Sequence, residues 1–243
     1  MGRVKMAKKS TFIDMTAMSD VTVLLLTFFM LTSTFLSKEP TTVVTPPSVS
    51  EDKVQETNYV QVLVSPKGQI WLTMNNDTSA DYSNEKMKMA VLDKMTEIYN
   101  EQHKNKPVKF TDQQKYAFSK LGTFGVPMSQ MGEFLNLAIR GQEGQTEMDK
   151  WLDGTDENPN HISGIPIQKE QDENHITEFQ MWMKAMRQAG NPILEEKIKD
   201  GSGVAIKADQ STSFDVIHMV MDNLQTIKQN KFTLLTALKA GGE

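Results

Sequence analysis

Between residues 15 and 37 the chain carries one charge, Asp20, followed directly by the run VTVLLLTFFMLTSTFL. This constrains the fold more than any other feature, because so long an apolar run must leave water while the carboxylate at its head resists doing so. At 1.5 Å rise per residue, residues 17–37 reach about 30 Å, the thickness of a bilayer's hydrocarbon core. The ten Val, Leu and Phe residues of 21–36 favour insertion by roughly 3 to 6 kcal/mol, against about 2.5 to 3.5 for a central Asp and less near an end. A single transmembrane helix over 17–37 is predicted. A cleaved signal peptide is the rival, disfavoured by the carboxylate, by the length of the run and by the lack of a small-residue cleavage site.

Arg3, Lys5, Lys8 and Lys9 precede the run, while Lys38 and Glu39 cancel after it. Positive residues stay inside, so 1–16 is expected in the cytoplasm and everything past the helix across the membrane. Residues 1–37 hold four cations and two carboxylates of a chain with net charge −5, leaving −7 for the remainder. So acidic an outer part argues against nucleic acid as a partner. The chain has no cysteine, which excludes a disulfide framework and thiolate chemistry. His103, His161, His175 and His218 show no metal-ligand spacing, so neither a metal nor a cofactor is expected.

Asp20, Thr27 and Thr34 recur every seven residues, and a helix keeps such a series on one face with about 20° of drift per heptad. The result is a polar stripe on an apolar helix. A threonine in lipid can also bond back to its own helix, which needs no further role.

Ile13, Met15, Thr16, Met18 and Asp20 then fill, in order and spacing, a pattern I-x-[MV]-T-x-[ML]-x-D ahead of the apolar run. The segment resembles the N-terminal signature of the ExbD/TolR family, with Ala17 where the family often has proline. The resemblance implies a single-span subunit of the bacterial inner membrane, with a cytoplasmic N-terminus and a periplasmic domain. It further implies a dimer seated in a pentamer of ExbB/TolQ-like proteins, a TonB-like partner, and Asp20 as proton carrier with Thr27 and Thr34 along its path. No enzymatic activity is implied.

Past the helix, 38–57 contains Pro40, Pro46 and Pro47 among Thr, Ser and Val and reads as a flexible linker. From 58 to 103, alternating Val60, Val62 and Val64, a Pro66-Lys67-Gly68 turn and IWLTM predict a β-hairpin. A helix capped by Ser83 follows, with Met87, Val91, Met95 and Ile98 on one stripe. Residues 204–243 predict a buried strand VAIKAD, a helix after Ser213 with Phe214, Ile217, Met221, Leu224 and Ile227 inward, and a last strand FTLLTAL. Val204, Ile206, Lys207, Ala208 and Asp209 resemble a motif V-x-I-K-A-D of the family's periplasmic domain. The order ββα…βαβ gives a two-layer α/β domain, and FTLLTAL is the candidate free edge for self-association.

Between these parts, 104–203 predicts a helical insertion: helices start at Thr111 or Asp112, at Pro127 or Ser129, and at ITEFQMWMKAMRQ. The loop from Asp153 is rich in Asp, Asn, Gly and Pro but lacks EF-hand spacing. No Ser/His/Asp or phosphate-loop pattern stands out. Two functions stay open. One is a proton-channel subunit driving TonB-type outer-membrane transport. The other is a passive membrane-tethered scaffold binding a partner or peptidoglycan.

Overall fold

A computed structural model describes residues 15–32, 39–48, 57–76, 83–168 and 176–238. The chain divides into two compact units, Met1–Ser37 and Lys38–Glu243.

The described part of the first unit is one helix, α1 (Met15–Thr32). Its hydroxyls bond back into it: Ser19 to the Thr16 carbonyl at 2.9 Å, Thr22 to Met18 at 2.7 Å and Thr27 to Leu24 at 2.9 Å. Val21, Leu24, Leu25, Leu26, Phe28 and Phe29 are each more than half exposed in the single chain, a contiguous apolar surface that needs lipid or protein against it. Among the described residues no helix is long and apolar enough to cross a membrane. The predicted span of 17–37 is thus described only up to Thr32. Its 18 helical residues rise about 27 Å, short of a full hydrocarbon core, and 33–37 lie outside the described residues.

In the second unit β1 (Pro47–Ser48) precedes a hairpin of β2 (Tyr59–Val64) and β3 (Ile70–Asn75), then α2 (Asn84–Gln102), α3 (Asp112–Lys120) and β4 (Thr123–Phe124). Next come α4 (Met128–Ile139), α5 (Gln142–Asp153), α6 (Glu178–Gln188) and α7 (Pro192–Asp200). The chain closes with β5 (Val204–Ala208), α8 (Phe214–Thr226), β6 (Thr233–Leu234) and β7 (Ala237–Leu238). Five strands form a mixed sheet in the order β4-β3-β2-β5-β6. β2 is its pivot, antiparallel to β3 and parallel to β5, with Val62 opposite both Leu72 and Ile206.

Register puts Phe124, Leu72, Val62, Ile206 and Leu234 in one row across all five strands. The first four are fully buried, because strand residues two apart share a face and this face carries the helices. At one end of the row Phe124 and Phe118 of α3 lie 4.8 and 5.8 Å from the Trp182 ring of α6, an aromatic cluster that ties three elements together. The predicted stripe of α2 packs here too, with Met87, Val91 and Met95 buried and Ile98 half-buried.

The predicted insertion is more than helical. It donates β4 to the sheet and α6 to the core, and Glu178 at the start of α6 accepts the Met128 N–H at 2.8 Å. That carboxylate supplies the negative charge that the N-terminus of α4 attracts, where Pro127 offers no side-chain cap. Two helices escape the sequence reading, α5 and α7. α7 bears a legible signature, Asn191 capping Ile193 and Leu194 with Pro192 at its first turn. α5 is exposed on most faces, and its apolar residues Met148, Trp151 and Leu152 cluster at its end, so its periodicity is faint. Ser213 stands at the start of α8 without a side-chain cap bond, and that helix stops at Thr226, short of the expected Gln229. The last strand also differs: FTLLTAL forms two two-residue pieces, β6 on the sheet edge beside β5 and β7 on β1.

Lys88 on α2 is 4 % exposed and its Nζ donates to the Leu121 carbonyl at the end of α3. Burial lowers its pKa to about 8, with the nearby Glu85 charge opposing the shift. Below that value both the folded and the unfolded chain hold the proton. Between about 8 and 10.5 the unfolded chain holds more, so stability must rise with pH there. We predict that Lys88→Met removes this rise: its stability relative to wild type should fall by up to about 3 kcal/mol between pH 7 and pH 10.5, checked by urea unfolding of both chains across that range.

Candidate functional site

The alternation of β5 places its residues on two faces with two tasks. Val204, Ile206 and Ala208 point into the buried row and its neighbours, opposite Val60, Val62 and Val64. Lys207 falls on the other face, next to Leu63, which in turn pairs with Trp71. Trp71 is fully buried and lies against Gly125, where any Cβ would collide with the indole. On this second face the chain before the hairpin returns as a strap.

The strap is residues 39–48, and β5 with its exit holds it. Lys207 Nζ donates to both oxygens of Glu39 at 2.7 Å. The Val44 N–H donates to Asp209 Oδ2 at 2.8 Å, and the Gln210 N–H donates back to the Val44 carbonyl at 2.8 Å. Val43 packs against the core. Finally Pro47 and Ser48 pair in parallel with Ala237 and Leu238. The stretch 39–48, expected to be a mobile part of a 38–57 linker, is therefore seated. The reason is charge and register: a carboxylate and a lysine of the strand meet one carboxylate and one free backbone edge of the strap. Residues 49–56 lie outside the described residues.

Asp209 serves two partners at once. Its Oδ1 accepts from the Ser211 Oγ and N–H, at 2.5 and 2.9 Å, while Oδ2 takes the Val44 N–H. The bond from the Ser211 hydroxyl, then the Ser211 and Val44 N–H groups, hold its carboxyl below the usual carboxylate range. Its contribution is thus present above the unfolded-state value near 3.8 and lost only as pH falls through the lower folded value.

The expected N-terminal site residues sit on or before α1. Asp20 and Thr27 project from it seven residues apart, both exposed in the single chain, with Thr16 and Met18 also exposed. Met15 opens the helix. Ile13 and Thr34 lie outside the described residues. The Thr27 hydroxyl proton is engaged by the Leu24 carbonyl, which leaves its oxygen lone pairs to accept. Among the described residues no group of three His, Asp or Glu side chains is arranged to hold a metal ion.

An apolar helix with one carboxylate, a strap and a small α/β domain define a class of tethered subunit rather than a pocketed enzyme. Residues 6–123 match the family model of the biopolymer transport protein ExbD/TolR, and through that region the chain belongs to the ExbD/TolR family. The matched region takes in α1, the strap, the hairpin, α2 and α3, and ends within β4; residues 124–243, including the Val204–Asp209 motif, lie beyond it. No curated protein and no solved structure matches the chain. Sequence inspection marked Lys207 and Asp209 but not their partners Glu39 and Val44, which carry no pattern of their own.

If Asp209 seats the strap, Asp209→Ala should speed amide exchange at Val44 by about tenfold or more while leaving the hairpin amides protected. Hydrogen exchange read residue by residue on the full chain checks this, and equal exchange at Val44 in both proteins counts against the strap contact.

Proposed function

We propose that the chain is the proton-carrying subunit of an inner-membrane motor of the ExbB/ExbD kind, which turns proton motive force into work on TonB-type outer-membrane transport. The observation that carries this reading is the family match running across α1 together with Asp20, the lone charge of residues 15–37. Family members are biopolymer transport proteins, and an ionisable group in an apolar span is a functional site by default.

In this reading 17–37 crosses the inner membrane with 1–16 in the cytoplasm and the second unit in the periplasm. One helix cannot enclose a proton path. An ExbB/TolQ-like pentamer around a dimer of this chain supplies the walls, and its polar groups meet Asp20 and Thr27, with Thr34 further along the stripe. The carboxylate takes a proton from the outer side and releases it inward, alternating between neutral and charged. Only the neutral form sits comfortably against lipid or apolar helix, so the cycle changes which neighbour α1 prefers. Each proton crossing 100 mV delivers about 2.3 kcal/mol. The second unit passes the resulting motion to a TonB-like protein.

A passive tethered scaffold that binds peptidoglycan or a partner is the second reading. It is favoured by one contact, the Thr27 hydroxyl bonded within its own helix, since that bond gives the stripe a purely local explanation.

Asp20→Asn separates the two. We expect full membrane insertion and unchanged co-purification with the pentameric partner, but energised uptake below about a tenth of wild type; near-normal uptake selects the scaffold. Thr27→Val should impair proton flux while sparing assembly, with Thr32→Val as an off-stripe control, and equal effects at the two positions would reduce the stripe to packing.

A further inference from the structure

The insertion holds a histidine whose two ring nitrogens face opposite demands. The His161 ring stacks on the Trp151 indole of α5 with centroids 3.5 Å apart and planes parallel, and its side chain is 13 % exposed. Nδ1 lies against the Asp156 carboxylate of its own loop. Nε2 has two neighbours. The Asn158 Nδ2 amide is 2.9 Å away, and Glu133 Oε1, on α4, is 3.5 Å away.

An amide nitrogen only donates and a carboxylate only accepts, so Nε2 cannot satisfy both. Asn158 is not free to turn its oxygen toward the ring, because its Oδ1 already accepts the Asn160 N–H at 3.1 Å. In neutral His161, Nδ1–H therefore donates to Asp156 and the bare Nε2 accepts from Asn158. Once Nε2 is protonated, two donors face each other at hydrogen-bond distance, and the only acceptor in reach is Glu133. The other charges lining the same cavity are Arg140 on α4 and Glu147 on α5, 3.6 Å apart and largely neutralising each other.

We propose that protonation of His161 exchanges its Nε2 partner from Asn158, inside the loop, to Glu133 on α4, and so tethers the loop 154–165 to the helical insertion in acid and releases it in base. The loop is placed to pass this on. Gln130 of α4 already brackets it, donating to the Asn160 carbonyl at 2.7 Å and accepting the Ile162 N–H at 3.0 Å. Trp151 Nε1 donates to the Ile162 carbonyl at 3.0 Å. Its far end is bonded to the sheet, Gly164 N–H to the Gly125 carbonyl and Ile165 N–H to Ile70, both at 2.8 Å. A protonation at His161 therefore reaches the β3–β4 edge through four residues of chain. The held Asp156 carboxyl, which His161 keeps below the usual range, is consistent with a lasting Nδ1–H donor. The exchange does not depend on Asp20 and stands or falls separately from the proton-carrier reading.

The test is a pH titration, from about 5 to 8, of the full-length chain in detergent micelles with 15N-labelled histidine, the His161 signals being assigned by their loss in His161→Gln. Glu133→Gln removes the acid-state partner and should lower the His161 midpoint by about half a pH unit, whereas Asn158→Ala removes the neutral-state partner and should raise it by a similar amount. Amide exchange over 154–165, corrected for its intrinsic pH dependence, should slow in wild type as His161 gains its proton and stay flat in Glu133→Gln. If either variant leaves the midpoint in place, or if loop exchange in wild type is indifferent to the protonation of His161, the partner exchange is wrong.

Discussion

Everything in the second unit depends on one pairing, the parallel ladder of β2 with β5. It joins Val60–Val64 to Val204–Ala208 across about 140 residues of chain, and no turn or short loop helps to close it. Ordering so long a connection costs entropy that grows only slowly with its length, so the insertion can be large provided the two strands match. They do match: Val60, Val62 and Val64 face Val204, Ile206 and Ala208, all nearly free of solvent, with no polar residue on that side of either strand. A one-residue slip would turn Lys207 into the core and Ile206 out of it.

The insertion repays its accommodation by finishing the fold around that ladder. β4 extends the row of buried side chains to Phe124, α6 places Trp182 over it, and Glu178 completes the start of α4. The polar seam between α6 and α8 is closed on itself: the Thr177 hydroxyl reaches Asn223 Oδ1 at 2.7 Å, Gln180 Nε2 donates to the Asn223 carbonyl at 3.2 Å, and Asn223 Nδ2 donates to Met219. Buried polar groups satisfied in this way fix which helix faces meet. A boundary between a family-like domain and a separate added one is therefore absent from the packing of the described residues. The family match stops within β4, at the very strand through which the later part joins the sheet.

The hairpin, α2, α3, α4, α6, β5 and α8 were legible because each carries a local signal: alternation in YVQVLV, a capping box at Thr111 with Gln114, the same at Thr177 with Gln180. The strap was not legible, since its seat is made of contacts more than 160 residues away in sequence, Glu39 to Lys207 and Val44 to Asp209, and its prolines speak only of an extended backbone. β4 is too short for any periodicity, and FTLLTAL has the composition of a continuous strand but is divided between two neighbours. Of the candidate site, Asp20 stood out by isolation and Lys207 with Asp209 by alternation. His161 showed nothing in sequence, because its significance is that Asn158 and Glu133 compete for one nitrogen.

The strap's anchors follow one another along the chain: Glu39 first, then Val44, then Pro47 and Ser48. A tension entering from the N-terminal side would load them in that order rather than together, so the segment peels instead of shearing. Peeling breaks one contact at a time, each backbone hydrogen bond being worth on the order of 1 kcal/mol net, and it yields length as it goes, up to about 30 Å for the ten residues when fully drawn out. A tether built this way resists no large force. It acts as a compliant spring of graded extension, slack enough to let a distant load be sought and short enough to become taut once the last pair at Ser48 is gone.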